Sequence, residues 1–256
     1  MTLSGHHHVV QMGLEHLDGY IACYRQVYGE AEAWNEFKKC SNKNCGKKWG
    51  IEQWALYLIK RHATGGYINH CSICNSEVVD FWPVDKVRTN IMADVLDNPL
   101  GLGFVLINNT QIIGFIHGYE IDVDEFETKP GGVPGLADAL QRWLGNGWRE
   151  NKPKVFYQAE LGILSPYHNL GFGKILTGLR LLKTVEAGYN IGVFRTNPEA
   201  KSLILGRNYG YKNIFQYSIP GSGPGSEETR IIMASDLSLA KDIFLKRDGQ
   251  CLKDYQ

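Results

Sequence analysis

Apolar residues at Leu17, Ile21, Tyr24, Val27 and Tyr28 repeat at three- and four-residue steps, which predicts an amphipathic helix over LDGYIACYRQVYGEAEAW. IEQWALYLIKRHATGG reads as a second helix that stops at Gly65-Gly66, and PVDKVRTNIMADVLDNP as a third, with Pro83 at its start and Pro99 behind its end. The period then changes: LGFVLIN and IIGFIHGYEI flank Asn109-Thr110-Gln111, a strand-turn-strand pattern. DVDEFETKPGGVPG turns acidic and loop-forming, and ADALQRWLG predicts a short helix. VFYQAELGIL, GFGKILTGLRLLKTVEA, NIGVFRT and PEAKSLILGRNYG then alternate strand, helix, strand, helix. Strands near YKNIFQYSI and TRIIMAS flank the loop PGSGPGSEE. Alternation after an opening hairpin implies an α/β fold: a mixed sheet with parallel strands near its centre, flanked by helices.

A chain of 256 residues with 43% hydrophobic content can bury a substantial core, which excludes disorder and fibre. Lys+Arg and Asp+Glu both number 27, so no global field draws the chain to nucleic acid or anionic lipid. The apolar runs fall short of the roughly 20 residues that a membrane-spanning helix needs. MTLSGHHHVV lacks the pattern of a secretory signal, so a soluble, cytoplasmic protein is expected. His6, His7 and His8 read as a metal-binding tract, a tag remnant or a frayed end, and residues 1–12 are expected to be disordered.

The six cysteines divide by spacing. Cys40 and Cys45 form C-x4-C and Cys71 and Cys74 form C-x2-C, with 25 residues between the pairs, while Cys23 and Cys251 stand alone. Four soft ligands with no open position describe structural zinc, tying down a segment too short to fold by itself. Gly46 after Cys45 fits the tight turn of a zinc knuckle. Iron, a redox C-x-x-C and unpaired thiols are the competing readings, with His70 a substitute ligand. Lys38, Lys39, Lys43, Lys47 and Lys48 beside Trp49 and Trp54 make a basic-aromatic patch that nucleic acid would suit. The favoured reading is that the lysines solubilise the insertion and the tryptophans pack on the main body.

The most informative segment is ELGILSPYHNLGFGKILTGLRLL, residues 160–182. A β-rich run stops at Ser165-Pro166 and a helix opens at Gly171-Phe172-Gly173, with Phe172, Ile175, Leu176, Leu179 and Leu182 on one stripe. Glycines there let a ligand approach the backbone, and the free N–H groups of a helix N-terminus attract anions. A phosphate or pyrophosphate fits; a simple tight turn is the alternative. Neither the Rossmann nor the P-loop glycine spacing is met.

On these residues the chain resembles the GCN5-related N-acetyltransferase (GNAT) family, whose signature is Arg or Gln, two residues, Gly, one residue, then Gly or Ala. The matching positions are His168-Asn169-Leu170-Gly171-Phe172-Gly173, with His168 replacing Arg or Gln. The resemblance covers residues 13–35 and 78–236, with a zinc-ribbon-like insertion at 38–78 and a C-terminal helix or tail at 237–256. It implies a mostly antiparallel central sheet and acetyl-CoA as cosubstrate. By the same resemblance His168, Asn169, Leu170, Gly171, Phe172, Gly173 and Lys174 surround the coenzyme A pyrophosphate. Ile163 would then pair with the pantetheine amides, with Asn197 nearby. Lys174 and Arg180 read as phosphate charges or as a solvated helix face.

Acetyl transfer to an amine needs a neutral nucleophile and a proton route. Glu160, three residues before Ile163, is the candidate base, with a cross-strand salt bridge as the alternative role. Many relatives place a thiolate-protonating tyrosine in N-x-x-A-x-x-L-Y. Here Asn197, Ala200 and Leu203 fit but Ile204 holds the tyrosine position, which leaves Tyr209 as the substitute acid and Tyr211 as a second choice. Glu120, Asp122, Asp124, Glu125 and Glu127 form an acidic segment where a cationic acceptor would be attracted, unless it is only a solvated loop. The expected activity is N-acetyl transfer to a primary amine of a small molecule or protein, the fold often pairing as a homodimer. The alternative is an inactive GNAT-like scaffold that binds protein or nucleic acid through its zinc insertion.

Overall fold

The computed structural model describes residues 7–31, 34–151, 153–220 and 226–253. β1 (His7–Gln11) pairs from His7↔Asn108 to Gln11↔Phe104, so residues 7–11 of the segment expected to be disordered form an edge strand, while residues 1–6, His6 among them, lie outside the described residues. α1 (Leu17–Glu30) buries Leu17, Ile21, Tyr24 and Tyr28 of the predicted stripe, with Val27 half-buried and Tyr20 buried as well. An insertion follows: β2 (Lys38–Cys40), β3 (Lys48–Trp49), α2 (Ile51–Ala63) and β4 (Val78–Asp80), whose strands make a small sheet in the order β3-β2-β4. α3 (Val84–Ile91) continues into a π-helical turn over Met92–Leu96.

β5 (Gly101–Asn108) and β6 (Gln111–Ile121) form the expected hairpin, with Asn109 at φ 56 in the turn, a conformation asparagine tolerates. Where a loop was expected, α4 (Val123–Thr128) forms, because the Asp122 carboxylate accepts the Glu125 N–H at 3.0 Å and caps it. The remaining elements are α5 (Leu136–Leu144), β7 (Val155–Ile163), α6 (Phe172–Glu186), β8 (Ile191–Thr196), α7 (Lys201–Asn208), β9 (Lys212–Pro220), β10 (Glu227–Asp236) and α8 (Leu237–Asp248).

The central sheet runs β1-β5-β6-β7-β8-β10-β9. Every neighbouring pair is antiparallel except β7 and β8. That parallel pairing is short, from Val155↔Ile191 to Tyr157↔Val193. Beyond it β8 stays with β10 as far as Thr196↔Ile231, and β7 stays with β6 as far as Ile163↔Gly114, so the two strands part. A bulge in β7 sets Gln158 and Ala159 against Gly118 at the point of parting. Phe115 and His117 of β6 meet Tyr20 of α1, while α4 and α5 cover a second core with Tyr119, Tyr157 and Val193. α6 and α8 pack together, and Gly178 lacks a side chain because the Phe244 ring fills that space. Among the described residues no helix is long and apolar enough to cross a membrane.

Candidate active site

The parting of β7 and β8 opens a cavity of about 760 Å³, lined by Tyr24 and Tyr28 of α1, Glu160 of β7, Thr177 and Arg180 of α6, and Arg195 of β8. Glu160 is half-buried in its wall. Its carboxylate accepts hydrogen bonds from Tyr24 (3.3 Å) and, more closely, from Tyr28. Burial pushes the Glu160 carboxyl up to about 7, with hydroxyl donation from Tyr28 and the charge of Arg195 holding it back. Among the described residues no cation ion-pairs with Glu160, so the cross-strand salt bridge is absent. A carboxylate titrating near neutrality in a cleft can take a proton from an ammonium ion.

In the turn that opens α6, Gly171 has φ +89 and Asn169 has φ +63; none of residues 169–174 lines the cavity. A Cβ added at Gly171 or at Gly173 would meet nothing within 4 Å, so both glycines face open space. The Lys174 and Ile175 N–H groups bond to the Gly171 carbonyl (2.9 and 3.2 Å), whereas among the described residues those of Asn169, Leu170, Gly171, Phe172 and Gly173 donate to no backbone acceptor. Free amides around an open concavity at a helix N-terminus suit a pyrophosphate, so the residues present fit the diphosphate of coenzyme A.

Other expected site residues are engaged elsewhere. The Lys174 ammonium pairs with Asp248 Oδ1 at 2.8 Å, and Tyr209, which lines the cavity, donates its hydroxyl to Asp248 Oδ2 at 3.0 Å. The substitute acid and the phosphate lysine thus converge on the end of α8, which no local pattern announces. His168 Nε2 lies 2.8 Å from the Ile163 carbonyl and Lys201 Nζ lies 3.3 Å from His168 Nδ1, so the ring donates to Ile163 and accepts from Lys201. The Ile163 carbonyl is therefore already bonded. Asn197 is buried, and its side-chain oxygen accepts the Glu199 N–H at 3.0 Å, fixing the turn into α7. Arg180, read as a phosphate charge or solvated, is buried instead.

The acidic segment is likewise used structurally. Asp122 caps α4, Asp124 meets Arg149 with both oxygens at 2.9 Å, and Glu127 accepts the Ala137 N–H at 2.6 Å. None of the five acids lines the cavity. Its far wall carries Asp94 and Glu36, residues that sequence reasoning did not single out. Burial pushes both carboxyls up to about 6, Asp94 against the charge of Lys129 and Glu36 against Lys48 and a hydrogen bond from Trp82. Trp34, Phe81 and Trp82 complete that wall. Both ends of the cysteine insertion therefore face the cleft.

In the insertion, the sulfurs of Cys40, Cys45, Cys71 and Cys74 lie within 4.8 Å of one another, with Cys40–Cys74 at 3.4 Å and Cys45–Cys71 at 3.7 Å. A zinc tetrathiolate with bonds of about 2.3 Å has sulfur–sulfur edges of roughly 3.8 Å, so the donor set fits. Gly46 (φ +62) and Asn75 (φ +57) put a left-handed residue directly after the second cysteine of each pair. His70 stands outside the cluster. Trp49 and Trp54 pack with the cysteines rather than on the main body. Lys38 pairs with Asp80 and Lys48 with Glu228, each at 2.7 Å, so two of the five patch lysines are held within the chain.

No family model matches the chain, and no curated protein matches it by sequence. Among solved structures it is similar to the Drosophila melanogaster polyamine N-acetyltransferase that catalyses the formation of N-acetylagmatine. The TM-score is 0.50 at 12% identity, over 90% of this chain and 99% of that one. It is also similar to FeeM, an N-acyl amino acid synthase from uncultured soil microbes, with a TM-score of 0.50 at 11% identity, over 94% of this chain and 96% of that one. At such identities the likeness is one of fold, and the chain has the GNAT-type acetyltransferase fold with a four-cysteine insertion between its first helices.

Proposed function

We propose that the protein is an acyl-CoA-dependent N-acyltransferase that uses acetyl-CoA to acylate a primary amine. The observation that carries the reading is the cleft between β7 and β8 with Glu160 on its wall, where β7 runs on into a turn of unbonded amides before α6. The amides of Asn169, Leu170, Gly171, Phe172 and Gly173 hold the diphosphate, and the open β7 edge guides the pantetheine toward Glu160. Glu160 takes a proton from the incoming ammonium, and the neutral amine attacks the thioester carbon. The amide C–N bond forms, the C–S bond breaks, and the thiolate leaves with a proton as coenzyme A.

The wall of Trp34, Glu36, Phe81, Trp82 and Asp94 favours a cationic, partly apolar amine, through ring faces and carboxylates together. Zinc on Cys40, Cys45, Cys71 and Cys74 supplies a cross-link that holds this wall in place. Calorimetry with acetyl-CoA, followed by an amine panel read through thiol release, tests the proposal. Absence of acetyl-CoA binding would remove it in favour of a non-catalytic binding module.

A further inference from the structure

Beside the β7 backbone the cleft wall carries Arg180, a cation with no carboxylate partner among the described residues. Arg180 is 5% exposed; it donates to Gln158 Oε1 at 2.8 Å and to the carbonyls of His117 and Glu160 at 3.4 Å each. Among the described residues no carboxylate pairs with Arg180, and its Nε–H has no acceptor. Thr177, one turn earlier on α6 and also 5% exposed, has an unpartnered hydroxyl. Gln158 donates to the Tyr211 oxygen at 2.5 Å. Arg180, Thr177, Gln158 and Tyr211 all line the cavity.

The two carbonyls freed beside the β7 bulge could be satisfied by any neutral donor. A buried guanidinium adds a full charge that is costly to desolvate unless an anion completes it. Three anions are conceivable, and position separates them. The diphosphate cradle lies seven residues back along α6, about 10 Å at 1.5 Å per residue. An acceptor amine held by the Glu160 carboxylate lies against Tyr24 and Tyr28 of α1, whereas Arg180 belongs to α6 and donates to Gln158 and the β7 backbone. The remaining anion is one carried by the acyl chain itself. Glu160 is on the cavity wall, and Gln158, two residues earlier on β7, sits where β7 and β8 close at Tyr157 and Val193. An acyl chain running past the thioester beside Glu160 therefore ends at Gln158, about 7 Å further on at roughly 3.3 Å per residue.

Resting on the acyl-CoA reading for the place of the thioester, we propose that the donor site also takes, and prefers, an acyl-CoA whose chain ends in a carboxylate, with Arg180, Thr177 and Tyr211 receiving that carboxylate. The transfer is unchanged in balance: the C–S bond breaks, the amide C–N bond forms, and the terminal carboxylate is carried through intact.

The test is calorimetric binding of free coenzyme A, acetyl-CoA, butyryl-CoA and succinyl-CoA to the full chain, the last two being matched in chain length. Succinyl-CoA is expected to bind at least about tenfold tighter than butyryl-CoA, as a charge-assisted pair warrants. The ratio should fall toward one in Arg180→Gln and by a few-fold in Thr177→Val, a near-isosteric change that keeps the fold if Arg180→Gln does not. Acetyl-CoA binding with no succinyl preference in the unaltered protein would overturn this inference alone. Failure of every coenzyme A ester to bind would overturn it together with the proposed function.

Discussion

Replacing Glu160 by Gln separates stability from activity at one side chain. Burial lifts the carboxyl from an ordinary value near 4.5 to about 7. At about 1.4 kcal/mol per unit, the folded state disfavours the ionised form by about 3 kcal/mol. The sign follows from the raised value: the native protein keeps its full stability below about 4.5 and loses this contribution as pH rises through about 7. Glutamine does not titrate, and its amide oxygen still accepts from Tyr24 or Tyr28. The stability difference between Glu160→Gln and the unaltered protein should therefore shift in favour of the variant by up to about 3 kcal/mol between pH 4.5 and pH 8.5. Urea unfolding followed by tryptophan fluorescence at each pH measures it. Over the same range kcat/KM should rise through about pH 7 in the unaltered protein. In the variant that limb should vanish, with a rate loss of about 10²- to 10⁴-fold. A difference curve flat across this range would refute the argument that a desolvated carboxylate sits in the cleft.

Gly173→Val puts a side chain into space where a Cβ meets nothing. Stability should change by less than about 1 kcal/mol, while calorimetry shows coenzyme A affinity down at least about tenfold. Gly178→Ala pushes against the Phe244 ring and should cost about 1–3 kcal/mol in a denaturant titration. Removing metal with a chelator, or substituting Cys71→Ser, should lower the melting temperature and raise the acceptor KM severalfold while acetyl-CoA affinity holds. Metal analysis finding one zinc per chain before treatment and none after would accompany that result.

Long periodic elements were readable because their signal is local: the stripe of α1, the hairpin around Asn109 and the Gly171 turn each declare themselves within a dozen residues. Glu160 could be picked out from its place in the strand before that turn, and the four cysteines from their spacing. What stayed hidden was made by distant pairings. Tyr28 and Glu160 are 132 residues apart, and Tyr209 meets Asp248 across 39. Arg180 resembled a solvated helix position, and only the β7 bulge, formed against β6, gives it carbonyls to meet. β1 has five residues in an irregular pattern, too short for periodicity to mark. The acids of residues 120–127 read as a substrate lure because two of the partners that occupy them, Arg149 and the Ala137 N–H, lie outside their own segment.

The cysteine module leaves the main body through a narrow doorway: the Phe81 N–H bonds to the Phe37 carbonyl at 3.1 Å, so its two ends touch. A module whose ends meet this way can be exchanged for a tight turn, or for another module, at the cost of the Lys48–Glu228 pair that ties it to β10. The residues flanking the doorway, Trp34, Glu36 and Trp82, line the cavity, on the wall proposed to receive the amine. Lineages that swap the module would therefore change which amines are accepted while inheriting the thioester machinery intact.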